Sequence, residues 1–317
     1  MTSIAELVSA AGGVLRKRDL VALGATDRRL THAVRSGSVR RPRRGWYSTL
    51  SPADRRFQAV RIGGRLSGAA ALFECGAWLQ RRPPLTVSVP ANASRLRPRR
   101  RARVVWDGRD ICDRGSLTSV DPRDALVRAI CELDFLDAVA VVDWALHTGL
   151  IELDDLPRLL AHLPRDAQRI IGWVDPKTQS ILESLVRTRE RLRGNQVEIQ
   201  CRLSNGQLLD LLINGIVGLE TDGREFHESS FEVDRRKDCV IIGDGYLPLR
   251  ASASMVLRDA DRLSRAIETL LTIHNDPPPS RPDILDLARP LPGRGRRPWR
   301  LGRVPCRADR TRFPCPA

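Results

Sequence analysis

The chain has 317 residues, with 53 lysines and arginines against 38 acids and a formal net charge of +15. At 42% hydrophobic and 29% charged residues, it is too apolar for wholesale disorder and long enough for two or three globular domains. No apolar run approaches the ~18 residues of a membrane span and the N-terminus has no secretory plan, so a cytoplasmic protein without a membrane partner is expected.

The basic excess is carried by arginine; only Lys17, Lys177 and Lys237 are lysines. A GC-rich genome explains arginine in place of lysine but not the net positive charge, and the planar guanidinium fork suits phosphate, so a nucleic-acid partner is expected. Seven cysteines are scattered without a CxxC spacing, which indicates reduced thiols and neither a disulfide frame nor a zinc site.

Residues 1–50 read as three short helices and a basic hairpin. Ser3 and Glu6 form a capping box for a helix to about Ala11. A second helix spans roughly 16–23 and stops at Gly24; Thr26 caps a third that ends at Gly37. The stretch VRRPRRGWYST (39–49) follows. This is the order of a winged helix-turn-helix. The third helix would read bases through Arg28, Arg29, His32 and Arg35, and the wing would offer Arg40, Arg41, Arg43 and Arg44. Ten basic residues stand against Glu6, Asp19 and Asp27 in this segment, so double-stranded DNA is the expected partner, although such a module also serves protein contacts.

Residues 51–174 predict a mixed α+β connector. A small-residue helix (67–79) precedes two β-like runs (85–89 and 102–106) separated by the basic stretch Arg95–Arg103. Asp121-Pro122 starts a helix to about 132, and further helices are expected over 135–148 and 154–163. No catalytic constellation is visible here. His147 and His162 read as structural or solvated.

Residues 175–275 predict a third domain of order α-β-β-β-α-β-α, giving an α/β multidomain chain overall. Asp175-Pro176 opens a long helix to Arg193. Strands 197–203, 207–213 and 216–222 are joined by Asn205-Gly206 and Asn214-Gly215, followed by a helix over 230–242, a strand over 246–250 and a helix over 256–273. The tail 276–317, rich in proline and arginine, is expected to be a disordered basic extension.

The chemistry gathers at LLDLLINGIVGLETDGREFH (208–227). Asp210 lies in one apolar strand, and Glu220 and Asp222 end the next, with His227 just beyond. Carboxylates are costly beside a core unless paired or metal-bound. Glu220 and Asp222 share a strand face. A strict two-residue turn at Asn214-Gly215 would put Asp210 and Glu220 on opposite faces; a three-residue loop with Gly215 left-handed, or a bulge near Leu219, would bring them to one face. Converging acids would suit Mg²⁺ or Mn²⁺, with His227 or Lys237 assisting proton transfer at a phosphodiester. The alternative is an exposed edge strand that ends in an Asp222-Gly223 turn.

The segments SILESLVR (180–187), LLDLLI (208–213), LETDGREFH (219–227), DRRKD (234–238) and GYLPLR (245–250) resemble the PD-(D/E)XK restriction-endonuclease-like superfamily, in particular its Vsr-like branch. That resemblance implies Asp210 and Glu220 as metal ligands, Glu183 as an accessory acid, and Asp222 and His227 around the scissile phosphate. The superfamily's usual lysine, two residues after the second acid, is Asp222 here, and Lys237 is the nearest substitute. From its helical-wheel position alone, Glu183 is a surface residue. Residues 12–49 resemble the winged-helix domain of AbiEi-type antitoxins, which implies DNA binding and a cognate toxin. Two readings stay open: a metal-dependent endonuclease, and a non-enzymatic antitoxin or repressor. RNA as substrate is not excluded by any residue.

Overall fold

The computed structural model describes residues 2–94, 96–97, 101–222 and 231–275, with the backbone alone for 231–234. Contacts group residues 1–275 into one unit apart from 276–317, and the expected tail lies outside the described residues.

The first helix, α1 (Ile4–Ala10), carries the capping box: Ser3 Oγ accepts from Glu6 N at 3.1 Å, and Glu6 Oε2 accepts from Ser3 N at 2.8 Å. β1 (Val14–Arg16), too short to be legible in the sequence, leads into α2 (Lys17–Ala22). α3 (Asp27–Arg35) is capped by the Thr26 hydroxyl, and β2 (Trp46–Ser48) pairs antiparallel with β1. Ile4, Val8, Leu20, Leu30 and Tyr47 close this small core. Ser48 Oγ donates to Gly13 O at 2.7 Å and pins the wing's return strand to the turn after α1.

The middle segment contains α4 (Arg55–Ile62), β3 (Arg65–Leu66), α5 (Gly68–Glu74), β4 (Leu85–Pro90), β5 (Ala102–Asp107), α6 (Arg109–Cys112), α7 (Pro122–Glu132), α8 (Phe135–His147), α9 (Leu156–Leu160) and α10 (Arg165–Gln168). β3 pairs antiparallel with β4 and β4 parallel with β5. Two expected helices are shorter than their patterns. α5 stops before Gly76, which takes a left-handed φ of 86°. The stretch 154–163 splits into a 3-10 turn and α9, and Pro164 then precedes α10. The His147 ring is tilted against that of Trp78, with centroids 5.3 Å apart.

The last segment comprises α11 (Ile181–Leu192), β6 (Val197–Arg202), β7 (Leu208–Ile213), β8 (Val217–Asp222), α12 (Phe231–Gly243), β9 (Leu247–Ser252), α13 (Ala253–Arg258) and α14 (Ala260–Asn275). The sheet order is β6-β7-β8-β9, antiparallel until β8 pairs parallel with β9 beyond α12. Two expectations are corrected. The long helix does not begin at Asp175, which makes a turn by accepting from Lys177 N; Ser180 caps α11 instead. The final helix is broken at Asp259 into α13 and α14. One sheet face packs Leu211, Ile213, Val217 and Leu219 against Leu185, Val256 and Ile267 of α11, α13 and α14. On the other, Leu209 and Leu212 meet Ile241 of α12.

The middle and last segments are joined through a buried ion pair. Asp143 of α8 accepts from Arg187 of α11 at 2.7 Å, from Ser184 Oγ at 2.5 Å and from Asp175 N at 2.9 Å. Arg187 also donates to Thr178 Oγ1 at 3.0 Å, so most of the polar groups at this joint are satisfied by named partners.

Candidate functional site

The loop between β7 and β8 has three residues, with Asn214 at φ 51° and Gly215 at φ 69°. Leu211 therefore lies opposite Leu219. Continuing that register brings Asp210 and Glu220 to facing positions on neighbouring strands, and Asp210 N donates to Glu220 Oε1.

The ladder between β7 and β8 ends at Leu211 and Leu219, while β8 continues along β9 to Asp222. Side-chain bonds take over where the strands separate. Asp210 Oδ2 accepts from Thr221 N at 2.8 Å and Thr221 Oγ1 at 2.9 Å, and Asp210 N donates to Glu220 Oε1 at 3.2 Å. On the other side of Asp210, Gln200 has a positive φ of 53°, although its neighbours keep register on β7. A long side chain in that conformation is a local strain. At this point Leu209 joins the α12 face and Leu211 the opposite one, so residues two apart do not share a face. Asp210 thus occupies the place where the sheet exchanges its faces.

The structure brings Lys237 to the acids. Its Nζ donates to Glu220 Oε2 at 2.5 Å, and both side chains are largely buried. Ile241, one turn further along α12, packs over Gly218, where a Cβ would come to 2.8 Å of Ile241 Cγ2. Glycine at 218 therefore permits the approach that carries Lys237 to Glu220.

Glu183 is buried, contrary to its wheel position. Its Oε2 accepts from Gln179 N at 3.0 Å and Gln200 Nε2 at 3.1 Å. Burial pushes the Glu183 carboxyl above the ordinary range, and the charge of Asp210 adds to that. Burial likewise raises Glu220, followed by the Asp210 charge, against which the Lys237 ammonium pulls it down. Asp210 therefore acts electrostatically on both glutamates. Asp222 is directed to Arg250, whose Nη1 lies 3.3 Å from Oδ1, and Arg250 also holds Asp238 at 2.9 Å. His227 lies outside the described residues. Thr221, Gln200, Arg250 and Asp238 are not singled out by the sequence pattern; the register of β8 and β9 sets Arg250 opposite Glu220, and the ion pair with Arg250 brings in Asp238.

Among the described residues no group of three or more acids, histidines or cysteines is arranged to hold a metal ion. Asp210 and Glu220 face each other as two carboxylates, and Mg²⁺ is commonly bound by one or two carboxylates completed by water and substrate phosphate oxygens. The pair fits that limited role, with Lys237 balancing the charge of Glu220.

At the N-terminal segment, Arg28, His32 and Arg35 of α3 and Arg40, Arg41 and Arg44 of the wing are exposed. Arg41 lies over the Tyr47 ring at 5.5 Å. Two expected base or phosphate partners are otherwise engaged. Arg29 donates to Thr2 O at 2.6 Å and Gly24 O at 3.4 Å, so it ties α3 to the start of α1 and is not free for bases. Arg43 is half-buried against Gly63, where a Cβ would come to 2.6 Å of its Nη1.

Residues 3–48 match the family of AbiEi antitoxin transcriptional regulators. The chain has no significant match among curated proteins. The match covers the three helices and the wing and stops before α4, so the similarity to an antitoxin-type transcriptional regulator is confined to this segment. The five described cysteines are free thiols, and no helix among the described residues is long and apolar enough to cross a membrane.

Proposed function

We propose that the protein is a cytoplasmic DNA-binding regulator of antitoxin type whose C-terminal domain, residues 175–275, hydrolyses phosphodiesters in the manner of the PD-(D/E)XK nucleases. The reading of the C-terminal domain rests on one observation: Lys237 Nζ at 2.5 Å from Glu220, with Asp210 opposite Glu220 at the separated end of β7 and β8. Asp210 and Glu220 would hold Mg²⁺ or Mn²⁺, which when bound polarises a phosphate and acidifies water. Lys237 neutralises Glu220 and supplies a cation at the phosphate; Glu183 positions Gln200 beside Asp210.

A second reading is favoured by a different observation. Glu220 Oε2 and Asp210 Oδ2 are both already hydrogen-bonded within the protein, as suits a domain that keeps the fold for binding a toxin or a second copy without chemistry. Cleavage assays on duplex, mismatched and single-stranded DNA and on RNA, with Mg²⁺ or Mn²⁺ and beside Asp210→Asn and Lys237→Met, separate the two. Metal-dependent cleavage abolished in both variants supports the nuclease; no cleavage of any substrate by the parent protein supports the binding role.

A further inference from the structure

A small pocket lies where the wing meets the middle segment. Its volume is about 240 Å³, below the ~300–1,000 Å³ of sites for drug-sized ligands. Three arginines line it from separate elements: Arg16 at the end of β1, Arg43 in the wing turn and Arg65 on β3. All three are half-buried, and none forms a salt bridge among the described residues. Arg16 and Arg43 donate no side-chain hydrogen bond there either, and Arg65 commits only Nη1, to Arg114 O at 2.8 Å. A guanidinium carries five N–H donors, so most of those at this pocket have no protein acceptor.

Little negative charge stands against them. Asp113 is the one acid in the lining, and it is exposed. Behind Ser88, which gives its hydroxyl to Asp107 at 2.5 Å, the Asp107 charge is already balanced by Arg128. Burial pushes the Cys112 thiol up, so it adds no charge at neutral pH. The arginines are nevertheless held in place. The Arg16 guanidinium lies over the Trp46 ring at 5.0 Å. Arg43 reaches across Gly63, where a side chain would collide with its Nη1. Burial pulls the Arg65 guanidinium below its ordinary value, and the Arg16 charge adds to that. Like charges gathered in a half-buried place oppose folding until an anion offsets them.

We propose that this pocket binds one phosphate group, carried by inorganic phosphate or a small phosphomonoester, between the wing and the middle segment. Guanidinium forks match phosphate oxygens and bind them through charge-assisted hydrogen bonds. Three forks from three elements suit a tetrahedral oxyanion, whereas a carboxylate offers only two oxygens. The small volume favours a phosphate with little attached to it. Arg16 and Arg43 belong to the segment that matches the antitoxin regulators and Arg65 does not, so the anion ties the wing to the chain that follows. The site is independent of the acids on β7 and β8 and of duplex binding.

Calorimetric titration of the full-length protein with inorganic phosphate and glycerol phosphate, against acetate and chloride at equal ionic strength, tests the assignment. Phosphate should bind saturably at one site, with acetate at least about tenfold weaker, and should raise the melting temperature by mass action. Tryptophan fluorescence should respond to phosphate in the parent and not in Trp46→Phe. Arg16→Met/Arg65→Met should lose at least about tenfold in affinity, together with the phosphate-dependent rise in melting temperature. Arg43→Met, which leaves the Trp46 stack and the Arg114 bond intact, should weaken binding by itself. Arg158→Ala, an exposed arginine elsewhere, should bind as the parent does. The proposal is overturned if phosphate has no greater effect than chloride at equal ionic strength. It is equally overturned if the Arg16, Arg43 and Arg65 variants bind as the parent does, because the anion is then adventitious. If phosphate does not bind but Arg65→Met lowers the salt slope of duplex binding by about 0.9, the arginines hold a DNA backbone phosphate and the free-anion assignment fails.

Discussion

Lys237 and Glu220 are 17 residues apart in the chain, yet their side chains meet at 2.5 Å in a largely buried junction between α12 and β8. The pair unites the helix with the strand pair that carries the acids.

Removing one partner leaves the other charge buried. Lys237→Met should destabilise the protein by about 2–3 kcal/mol, toward the lower end expected for breaking a buried pair because some solvent remains. Glu220→Gln combined with Lys237→Met should recover much of that loss. Urea unfolding of the two single variants and the double variant checks this through the coupling energy. Equal, additive losses would show that the two side chains do not act as a pair.

At the joint between α8 and α11 the burial is more complete. Arg187→Met should cost about 3–5 kcal/mol by stranding Asp143, whose side chain is 0% exposed. Asp143→Asn/Arg187→Met should be milder. A uniform drop of melting temperature in both segments, followed by fluorescence and by hydrogen exchange, would show that the joint couples them.

DNA binding should follow exposure and not arginine count. Replacing Arg40, Arg41 and Arg44 with alanine should weaken duplex binding and lower the slope of log affinity against log salt by about 0.9 for each phosphate that is no longer neutralised. Arg28→Ala should alter sequence preference. Arg29→Ala should instead lower stability by about 1 kcal/mol for each hydrogen bond it breaks, since its donors are spent on Thr2 and Gly24. Salt-dependent anisotropy and thermal melts distinguish these outcomes. Unchanged duplex affinity in the triple variant would remove the wing from the interface.

A pH dependence is expected at Asp137. Burial holds this carboxyl above its ordinary value, against hydrogen bonds from Gln80 N and Nε2. An acid raised in the folded state contributes stability at pH below its unfolded pKa, and that contribution disappears as pH rises through the raised value. Asp137→Asn keeps an acceptor for Gln80 and removes the charge, so the decline of stability with rising pH across the carboxylate range should become shallower. Denaturation midpoints from pH 4 upward measure it.

Much of the plan was legible because it is local. The Ser3–Glu6 box, the Thr26 cap, Asp121-Pro122 and the Asn-Gly turns each fix a boundary through neighbouring atoms, and the elements that follow them begin where expected. What escaped depends on distant partners. Glu183 reads as a surface residue on a wheel, yet Gln179 and Gln200 satisfy its carboxylate in the interior. The start of α11 escaped because Asp175-Pro176 offers a cap, while Asp175 is engaged with Lys177 and Asp143 instead. The exchange of faces at Asp210 leaves no periodic trace, because LLDLLI is apolar on both sides of the acid. Lys237 was visible only as a candidate; Gly218 and Ile241 determine its reach.

The hydrogen bonds from Thr221 to Asp210 bear on the choice of experimental controls. An alanine at 210 deletes the acceptor that stands in for the missing ladder rung, so the two strands would lose a fastening as well as a carboxylate. A silent Asp210→Ala protein is then either an inactive one or a loosened one, and assays of turnover alone would not tell which. Asparagine at the same position keeps an oxygen for Thr221 and discards the charge, and it is the substitution by which chemistry and cohesion come apart.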